Sequence, residues 1–201
     1  MLRNGNEYVA PVDEELYRAA AEVIGESGWE ALTMDRVAER AGKSRVTLWR
    51  NGVTRESLVN GLLRQLSEDY RDRMLPVVVA AMPPRERLEQ TMHALCDVID
   101  KHAVLLSVSD DMFHRAYAAG SVPLGFLDPF LQAIREARAA GSLRGPTRGS
   151  KKGDIELADV MFNTVAWPYL HLRHRHAWPA ARARKLLFSV VIDGLVQGPG
   201  S

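Results

Sequence analysis

Side chains that can read nucleic-acid bases are concentrated in the seven residues 45–51. Arginine can pair with guanine O6 and N7, asparagine pairs with adenine, and a threonine methyl group can touch that of thymine. Arg45, Asn51 and Thr47 supply these three chemistries. An arginine can equally hold a phosphate, so both contacts are open for Arg45. The segment therefore predicts contact with the major groove of double-stranded DNA.

The same stretch is also suited to the DNA backbone. Lys43, Arg50 and Arg55 can neutralise phosphates, and the backbone amides at the helix start capped by Thr54 can donate to them. From Arg36 to Arg55 there are six basic residues and one acidic residue, although the formal net charge of the chain is only +1. This local basic patch predicts DNA binding that weakens as the salt concentration rises.

Two short helices joined by a turn must position these side chains. Polar residues that cap helix starts alternate with glycines that end helices. The caps are Thr33, Ser44 and Thr54, the stops are Gly42 and Gly52, and the predicted helices are 34–41 and 45–51. Val46 and Leu48 are left to pack. The pattern is typical of a helix-turn-helix, and the alternative is a structural helical hairpin with incidental arginines.

Apolar residues recur at helical spacing along the rest of the chain, which predicts an all-α fold. We expect helices at 13–26, 54–75 (ending before Pro76), 83–101, 104–117 and 125–140, then a loop at 145–153 and a helix capped by Asp154. The predicted domains are a helix-turn-helix domain at 1–55, a shared connecting helix at 55–75, and a helical body within 56–201. There is no internal repeat.

Bulk composition is that of a soluble globular protein. The chain has 201 residues, of which 46% are hydrophobic and 25% are charged. Its longest apolar run, 77–82, is too short to cross a bilayer, and the first residues lack a secretory signal. Cys96 is the single cysteine, so no intrachain disulfide is possible. These features predict a cytoplasmic protein without a membrane partner.

The last two predicted helices are apolar around most of their circumference. A helix that is apolar on more than one face is buried on more than one face. A second copy of the chain, related by a two-fold axis, is the simplest cover for the additional face. The sequence therefore predicts a homodimer whose interface includes Val160, Leu187, Val191 and Leu195.

The segment from about 16 to 66 resembles the DNA-binding domain of the TetR family of transcriptional regulators. The resemblance is carried by Gly28-Trp29-Glu30-Ala31-Leu32-Thr33-Met34, Val37-Ala38-Glu39-Arg40-Ala41-Gly42, Thr47-Leu48-Trp49-Arg50 and Thr54-Arg55-Glu56-Ser57-Leu58. It implies phosphate contacts for Trp49, which replaces the usual tyrosine, and for Arg55. The chain departs from the family at Asn51 and Gly52. Together the arguments assign DNA binding to Thr33, Lys43, Ser44, Arg45, Thr47, Trp49, Arg50, Asn51, Thr54 and Arg55.

For the body, the resemblance implies ligand sensing and dimerisation. The implied protein is a dimeric repressor that leaves a palindromic operator when a small, largely apolar effector changes the separation of its two DNA-binding domains. No cofactor or metal is implied. Methionines and aromatic side chains can line such a cavity or form ordinary core. The candidates are Tyr70, Met92, Cys96, Met112, Phe113, Tyr117, Phe126, Phe130, Met161 and Phe162.

Three other functions compete with this interpretation. An architectural DNA-binding protein would share the helix-turn-helix but need no cavity. An all-α enzyme could use Asp110, Asp111 and His114 as an acid-base cluster, although no phosphate loop, HExxH or nucleophile elbow is present. A metal sensor could use histidines 171, 174 and 176. His171 and His174 can share one helical face, whereas His176 is not expected to join them.

Overall fold

The computed structural model describes residues 14–106, 125–143 and 151–195. These residues confirm the all-α fold. They form α1 (Glu14–Ser27), a 3-10 helix (Trp29–Ala31), α2 (Met34–Arg40), α3 (Arg45–Arg50), α4 (Arg55–Val79), α5 (Pro84–Leu106), α6 (Asp128–Ala139), α7 (Lys151–His174) and α8 (Ala180–Leu195). None of these helices combines the length and apolar content needed to cross a membrane.

The described residues fall into two compact units. The first contains residues up to Leu66 and residues 104–106, and the second contains 67–103, 125–143 and 151–195. The division lies within α4 at Leu66, so the first unit includes about three turns of the helix predicted to be a connector. In the first unit, apolar side chains of α1, α2, α3 and α4 form the core. These include Leu16, Ala20, Ile24, Val37, Leu48, Leu58 and Leu62, and Leu32 of the turn before α2 is buried as well.

The three predicted helix caps are confirmed. The Thr33 hydroxyl accepts from the amide of Arg36 at 3.4 Å, and the Ser44 hydroxyl accepts from that of Thr47 at 3.1 Å. At the start of α4, the Thr54 hydroxyl accepts from the amide of Ser57 at 3.0 Å. The Ser57 hydroxyl accepts in return from the amide of Thr54 at 2.9 Å. Because these bonds satisfy otherwise unpaired amides, they fix where each helix begins.

Both predicted glycine stops are confirmed as well. Gly42 and Gly52 have φ angles of +62° and +67°, in the left-handed region that favours glycine. After Gly52, the amide of Val53 donates to the carbonyl of Leu48 at 2.9 Å, and both of these side chains are buried. This is the pattern of a Schellman motif. Gly52, at which the chain departs from the family pattern, therefore ends α3 and directs the chain into α4.

In the second unit, α4 continues through Pro76 to Val79, so the predicted end before Pro76 is wrong. The carbonyls that follow the proline have a partner far along the sequence. The buried Arg87 guanidinium donates to the carbonyl oxygens of Val77, of Val78 at 3.1 Å and of Ala80 at 2.6 Å. Its Nε also lies 2.5 Å from Glu136 of α6. This arginine satisfies the end of α4, which allows one further turn after the proline.

α5 joins the two helices predicted at 83–101 and 104–117. A kink at His102, with φ −108° and ψ 19°, marks the predicted break. The His102 Nε2 atom lies 2.6 Å from Asp69 Oδ2 of α4. The kink thus coincides with a contact to α4, and the helix continues past it to Leu106. The predicted continuation beyond 106 lies outside the described residues.

Two helices of the second unit, α6 and α7, differ from the prediction mainly at their starts. α6 begins at Asp128 rather than 125. α7 begins at Lys151, so the predicted loop at 145–153 is wrong for its last three residues. Asp154 is not the cap, because it lies inside α7, is 7% exposed and accepts from Arg138 Nε at 2.7 Å. A carboxylate that was expected to cap a helix therefore joins α7 to α6.

A partly buried charge network joins three helices of the second unit. Arg184 of α8 lies 2.7 Å from Asp97 and 2.9 Å from Asp100, both on α5. The Tyr169 hydroxyl of α7 donates to Asp100 at 2.6 Å, and Arg173 Nε donates to the same carboxylate at 2.8 Å. Burial alone would raise the pKa of Asp100, but these hydrogen bonds and the adjacent arginine charges outweigh it and lower the pKa.

This network predicts a loss of stability in acid. Because the pKa of Asp100 is lower in the folded protein, its contribution is present above its unfolded value of about 4 and is lost as the pH falls further. Asp100→Asn should therefore reduce the pH dependence of the free energy of unfolding, measured with urea between pH 5 and pH 3. Asp72→Asn is the control, since Asp72 is 71% exposed. An unchanged pH dependence in Asp100→Asn would contradict the assignment.

Candidate nucleic-acid interface

Of the six residues of α3, one has a buried side chain that packs against the rest of the first unit. Leu48 is 1% exposed, whereas Val46 is 55% and Trp49 is 77% exposed. The prediction that Val46 packs inward is therefore wrong. Val46 precedes Leu48 by two positions, which is about 200° around a helix with 3.6 residues per turn. Arg50 follows Leu48 by the same angle, so Val46 and Arg50 lie opposite the buried side of α3.

Arg45 lies closer to the buried side of α3 and is paired within the unit. Its Nη1 atom donates to Asp35 Oδ2 of α2 at 3.1 Å. The side chains of Arg45 and Asp35 are 70% and 66% exposed, so the pair is surrounded by water and held weakly. DNA can compete with such a pair. Arg45 is thus available to a base or phosphate, but binding must displace Asp35.

Acidic residues of α1 neutralise part of the predicted basic patch. Lys43 Nζ donates to Glu15 at 2.9 Å, and Arg40 donates to Glu22 at 3.2 Å and to Glu26 at 2.5 Å. The hydrogen bond from Arg40 lowers the pKa of the Glu26 carboxyl. Counting charges only between 36 and 55 missed these partners. The signal was present in the four glutamates of 14–26, which lie on an adjacent helix.

The remaining predicted DNA-binding residues lie at the edges of the two short helices. Thr33, Ser44 and Thr54 cap helix starts, and Asn51 is the C-cap that follows α3. Arg55 Nη2 donates to the carbonyl oxygen of Trp29 at 2.9 Å. The hydroxyl groups of the three capping residues and the guanidinium group of Arg55 therefore already have hydrogen-bond partners. All ten predicted residues lie in the first unit, and nine of them are exposed, whereas Lys43 is half-buried.

The predicted ligand pocket contains an aromatic cluster in the second unit. The rings of Tyr70 and Phe126 are 4.8 Å apart, and Phe162 lies 6.4 Å from Phe126 and 5.9 Å from Phe130. The Tyr70 hydroxyl donates to the Phe126 carbonyl at 2.5 Å. Burial, and then the charge of Asp128, raises the pKa of this hydroxyl. Phe126 and Phe162 are only half-buried.

Other predicted pocket residues are part of the core. Met92 and Cys96 are 0% exposed and Met161 is 1% exposed. Burial raises the pKa of the Cys96 thiol to about 12. This thiol is therefore protonated at neutral pH and is a poor nucleophile. The predicted pocket residues Met112, Phe113 and Tyr117 lie outside the described residues, as do Asp110, Asp111 and His114.

The histidines at the end of α7 are arranged differently from the prediction. His171 and His176 have Nε2 atoms 3.1 Å apart. His176 lies beyond the end of α7 at His174, so its position is not set by helical spacing and its side chain can meet that of His171. Within the described ranges, however, no three histidine, cysteine, aspartate or glutamate side chains converge as metal ligands.

The predicted dimer residues are divided between the surface and the core. Val160 is 60% exposed and Leu187 is half-buried, but Val191 is only 6% exposed. Val191 is thus covered within its own protomer and has little surface left for contact with a partner. The exposed apolar position beside it is Val190, which is 72% exposed. The side chain of Leu195 lies outside what the structure describes.

Comparison with known proteins tests the resemblance. Residues 16–60, which contain the helix-turn-helix, match the model of the tetR family of bacterial regulatory proteins. The predicted resemblance of this segment to the TetR family is confirmed. The chain is 25% identical over 185 residues to the HTH-type transcriptional repressor KstR2 of Rhodococcus jostii, covering 90% of this chain and 89% of the repressor.

Two solved structures show the same fold as this chain. The ketosteroid transcriptional regulator KstR2 of Mycobacterium tuberculosis superposes with a TM-score of 0.71 at 20% identity, covering 94% of this chain and all of that chain. The fatty acid degradation regulator FadR of Bacillus halodurans gives a TM-score of 0.73 at 14% identity, covering 90% and 94%. The likeness therefore extends beyond the helix-turn-helix to the helical body.

Proposed function

We propose that this regulator is a dimeric repressor that binds a palindromic DNA operator through α3 and is released by a small, largely apolar effector. The observation that carries the DNA-binding part is the outward face of α3. Its exposed side chains include two arginines, a tryptophan and a valine, and a single leucine attaches the helix to the core. One six-residue helix reads only a few base pairs, so two half-sites are needed for a specific operator.

Exposed apolar side chains on the last two helices support a homodimer. On α7, Val160 is 60% and Trp167 is 37% exposed, and on α8, Leu186 is 47% and Val190 is 72% exposed. Leu186 and Val190 are four residues apart and therefore share one face of α8. A second copy that buries these side chains would remove their apolar surface from water.

The aromatic cluster of the second unit supports an apolar effector. Half-buried Phe126 and Phe162 offer apolar surface, while the Tyr70 hydroxyl provides a polar group beside them. Pockets for small molecules commonly combine such surfaces with a few polar groups. The names of two structural neighbours refer to ketosteroids and fatty acid degradation, which are both largely apolar chemistries. An effector acts as a releasing signal if it binds more tightly to the DNA-free state.

The first test is selection of bound sequences from genomic DNA, which gives the operator and its neighbouring genes. Selection of a palindromic sequence supports the proposal, and binding without sequence preference contradicts it. A thermal-shift screen with sterols, fatty acids and their thioesters then identifies compounds that stabilise the protein. Release of operator DNA by such a compound supports the repressor. Stabilisation without release would favour an architectural DNA-binding protein.

Arg45→Ala should weaken operator binding by about 10-fold to 100-fold if the side chain reads a guanine, because a bidentate base contact contributes about 1–3 kcal/mol. The measurement is a titration of operator and random DNA by fluorescence anisotropy. Arg18→Ala is the control, since Arg18 is 71% exposed on α1 and has a comparable carboxylate partner in Glu15. Equal weakening on both DNAs, with a smaller salt dependence, would assign Arg45 to a phosphate instead.

A further inference from the structure

We propose that Val46 selects a thymine at one position of each operator half-site by apolar contact with the thymine C5-methyl group. This inference rests on the proposed DNA-binding function and assigns a base preference to it. It begins from an exposed apolar side chain on a helix that otherwise presents polar and aromatic groups. Val46 is 55% exposed, although its two neighbours on the chain are polar and could face solvent at lower cost.

The direction of Val46 follows from the single anchor of α3. Leu48 is 1% exposed and defines the buried side of the helix. Around the helix axis, Thr47 and Trp49 lie about 100° to either side of Leu48. Val46 lies about 200° from Leu48 and is therefore almost opposite to it. Val46 is therefore on the outward side, in the first turn of α3. In helix-turn-helix proteins it is the first residues of the recognition helix that reach base edges.

The chemistry of Val46 restricts what it can recognise. Its side chain consists of two methyl groups and cannot form a hydrogen bond. Among the groups that the four base pairs display in the major groove, the thymine methyl is the apolar one. A β-branched side chain in a helix is also held in one strongly preferred rotamer. Val46 therefore presents its methyl groups in a fixed direction without further ordering.

Thr47, which the sequence assigned to thymine, is held by another contact. Its hydroxyl lies 2.8 Å from the Ser44 hydroxyl, and its amide donates to the same Ser44 oxygen at 3.1 Å. These bonds direct Thr47 toward the start of α3. Val46 has the outward position and the larger apolar surface, so it is the better candidate for the methyl contact.

Substitution of deoxyuridine for thymidine tests the contact, because it removes the methyl group and leaves the hydrogen-bonding groups of the base pair unchanged. The probe is the operator selected by the wild-type protein, with each thymine replaced in turn. We expect one thymine per half-site whose replacement weakens binding about fourfold, the ratio for one buried methylene-sized group. Replacement in both half-sites should weaken binding about 15-fold.

The variants assign this effect to a side chain. Val46→Ala should bind the original operator as weakly as the wild type binds the deoxyuridine operator. Replacing the thymine with deoxyuridine should not weaken the binding of this variant further. Thr47→Ser removes the threonine methyl but keeps a hydroxyl that can bond to Ser44, so it should keep the wild-type sensitivity. Circular dichroism checks that α3 and its unit stay folded, which the exposure of both positions favours.

Two results would overturn the inference. Undiminished sensitivity to deoxyuridine in Val46→Ala would show that another group contacts the methyl, and loss of sensitivity in Thr47→Ser would assign it to Thr47. Failure of the wild type to select any sequence would reject the DNA-binding proposal itself, and this inference with it. The failure of Val46 alone is thus distinguishable from the failure of the proposed function.

Discussion

We expect Val190→Asp to abolish self-association while each protomer remains folded. Val190 is 72% exposed in the protomer, so a charge there is hydrated and costs little in the monomer. In a two-fold interface the same charge would be buried twice and without a partner. An unpaired buried charge costs about 3–5 kcal/mol, so the two copies should raise the dimer dissociation constant by more than a thousandfold. Sedimentation velocity at micromolar concentration measures this change.

Val79→Asp is a matched control for the dimer prediction. Val79 lies at the end of α4 and is 71% exposed, almost the same fraction as Val190. It should therefore stay dimeric and bind operator DNA normally. Val191→Asp is not a suitable test, because Val191 is 6% exposed and a charge there would destabilise the protomer itself. A dimer of Val190→Asp that persists at low concentration would contradict an interface on α8.

Arg87→Met should lower the free energy of unfolding by about 3 kcal/mol, since it removes hydrogen bonds from a charged donor and leaves buried carbonyls without partners. Arg87 is 6% exposed and bonds to three carbonyl oxygens at the end of α4 and to Glu136. Methionine retains most of the apolar part of the arginine side chain, so the packing around position 87 changes little. Urea denaturation followed by circular dichroism gives the difference.

Arg85→Met is the control for Arg87, because it lies two residues earlier on α5. Arg85 is 39% exposed and pairs with Glu89 and Asp193, which are 41% and 66% exposed. Such pairs contribute about 0–1 kcal/mol. If both variants lost the same stability, the effect would come from α5 in general and not from the carbonyls of α4.

Local sequence rules predicted the helix-turn-helix well. Thr33, Ser44 and Thr54 cap their helices, and Gly42 and Gly52 end them, because these effects depend on residues within one turn. They fix where the backbone bends and need no knowledge of the rest of the chain. This explains why the recognition segment could be located to within a residue.

Tertiary contacts explain the errors. α4 passes Pro76 because Arg87, eleven residues later, satisfies the last carbonyls. Asp154 lies within a helix because Arg138 of another helix bonds to it. No rule that considers neighbouring residues alone can foresee either contact. A capping residue or a proline therefore ends a helix only when no distant side chain offers a better partner.

The candidate interface shows the same limit for burial. Val190 and Val191 are adjacent and chemically identical, yet one is 72% and the other 6% exposed. The spacing of apolar residues predicts that a helix has an apolar face. It does not indicate whether that face is covered within the same protomer or by a partner. The same ambiguity placed Val46 in the core. Only packing coordinates separate a residue that builds the protein from one that meets a partner.

The single buried anchor of α3 has an evolutionary consequence. Leu48 and Val53 hold the helix and its following turn, whereas Val46, Trp49 and Arg50 contribute little to the core. Substitutions at exposed positions usually change stability by less than about 0.5 kcal/mol. Mutation can therefore explore new operator preferences at these three positions while the protein stays folded. Selection for a new operator preference at these positions is therefore largely independent of selection for a stable fold.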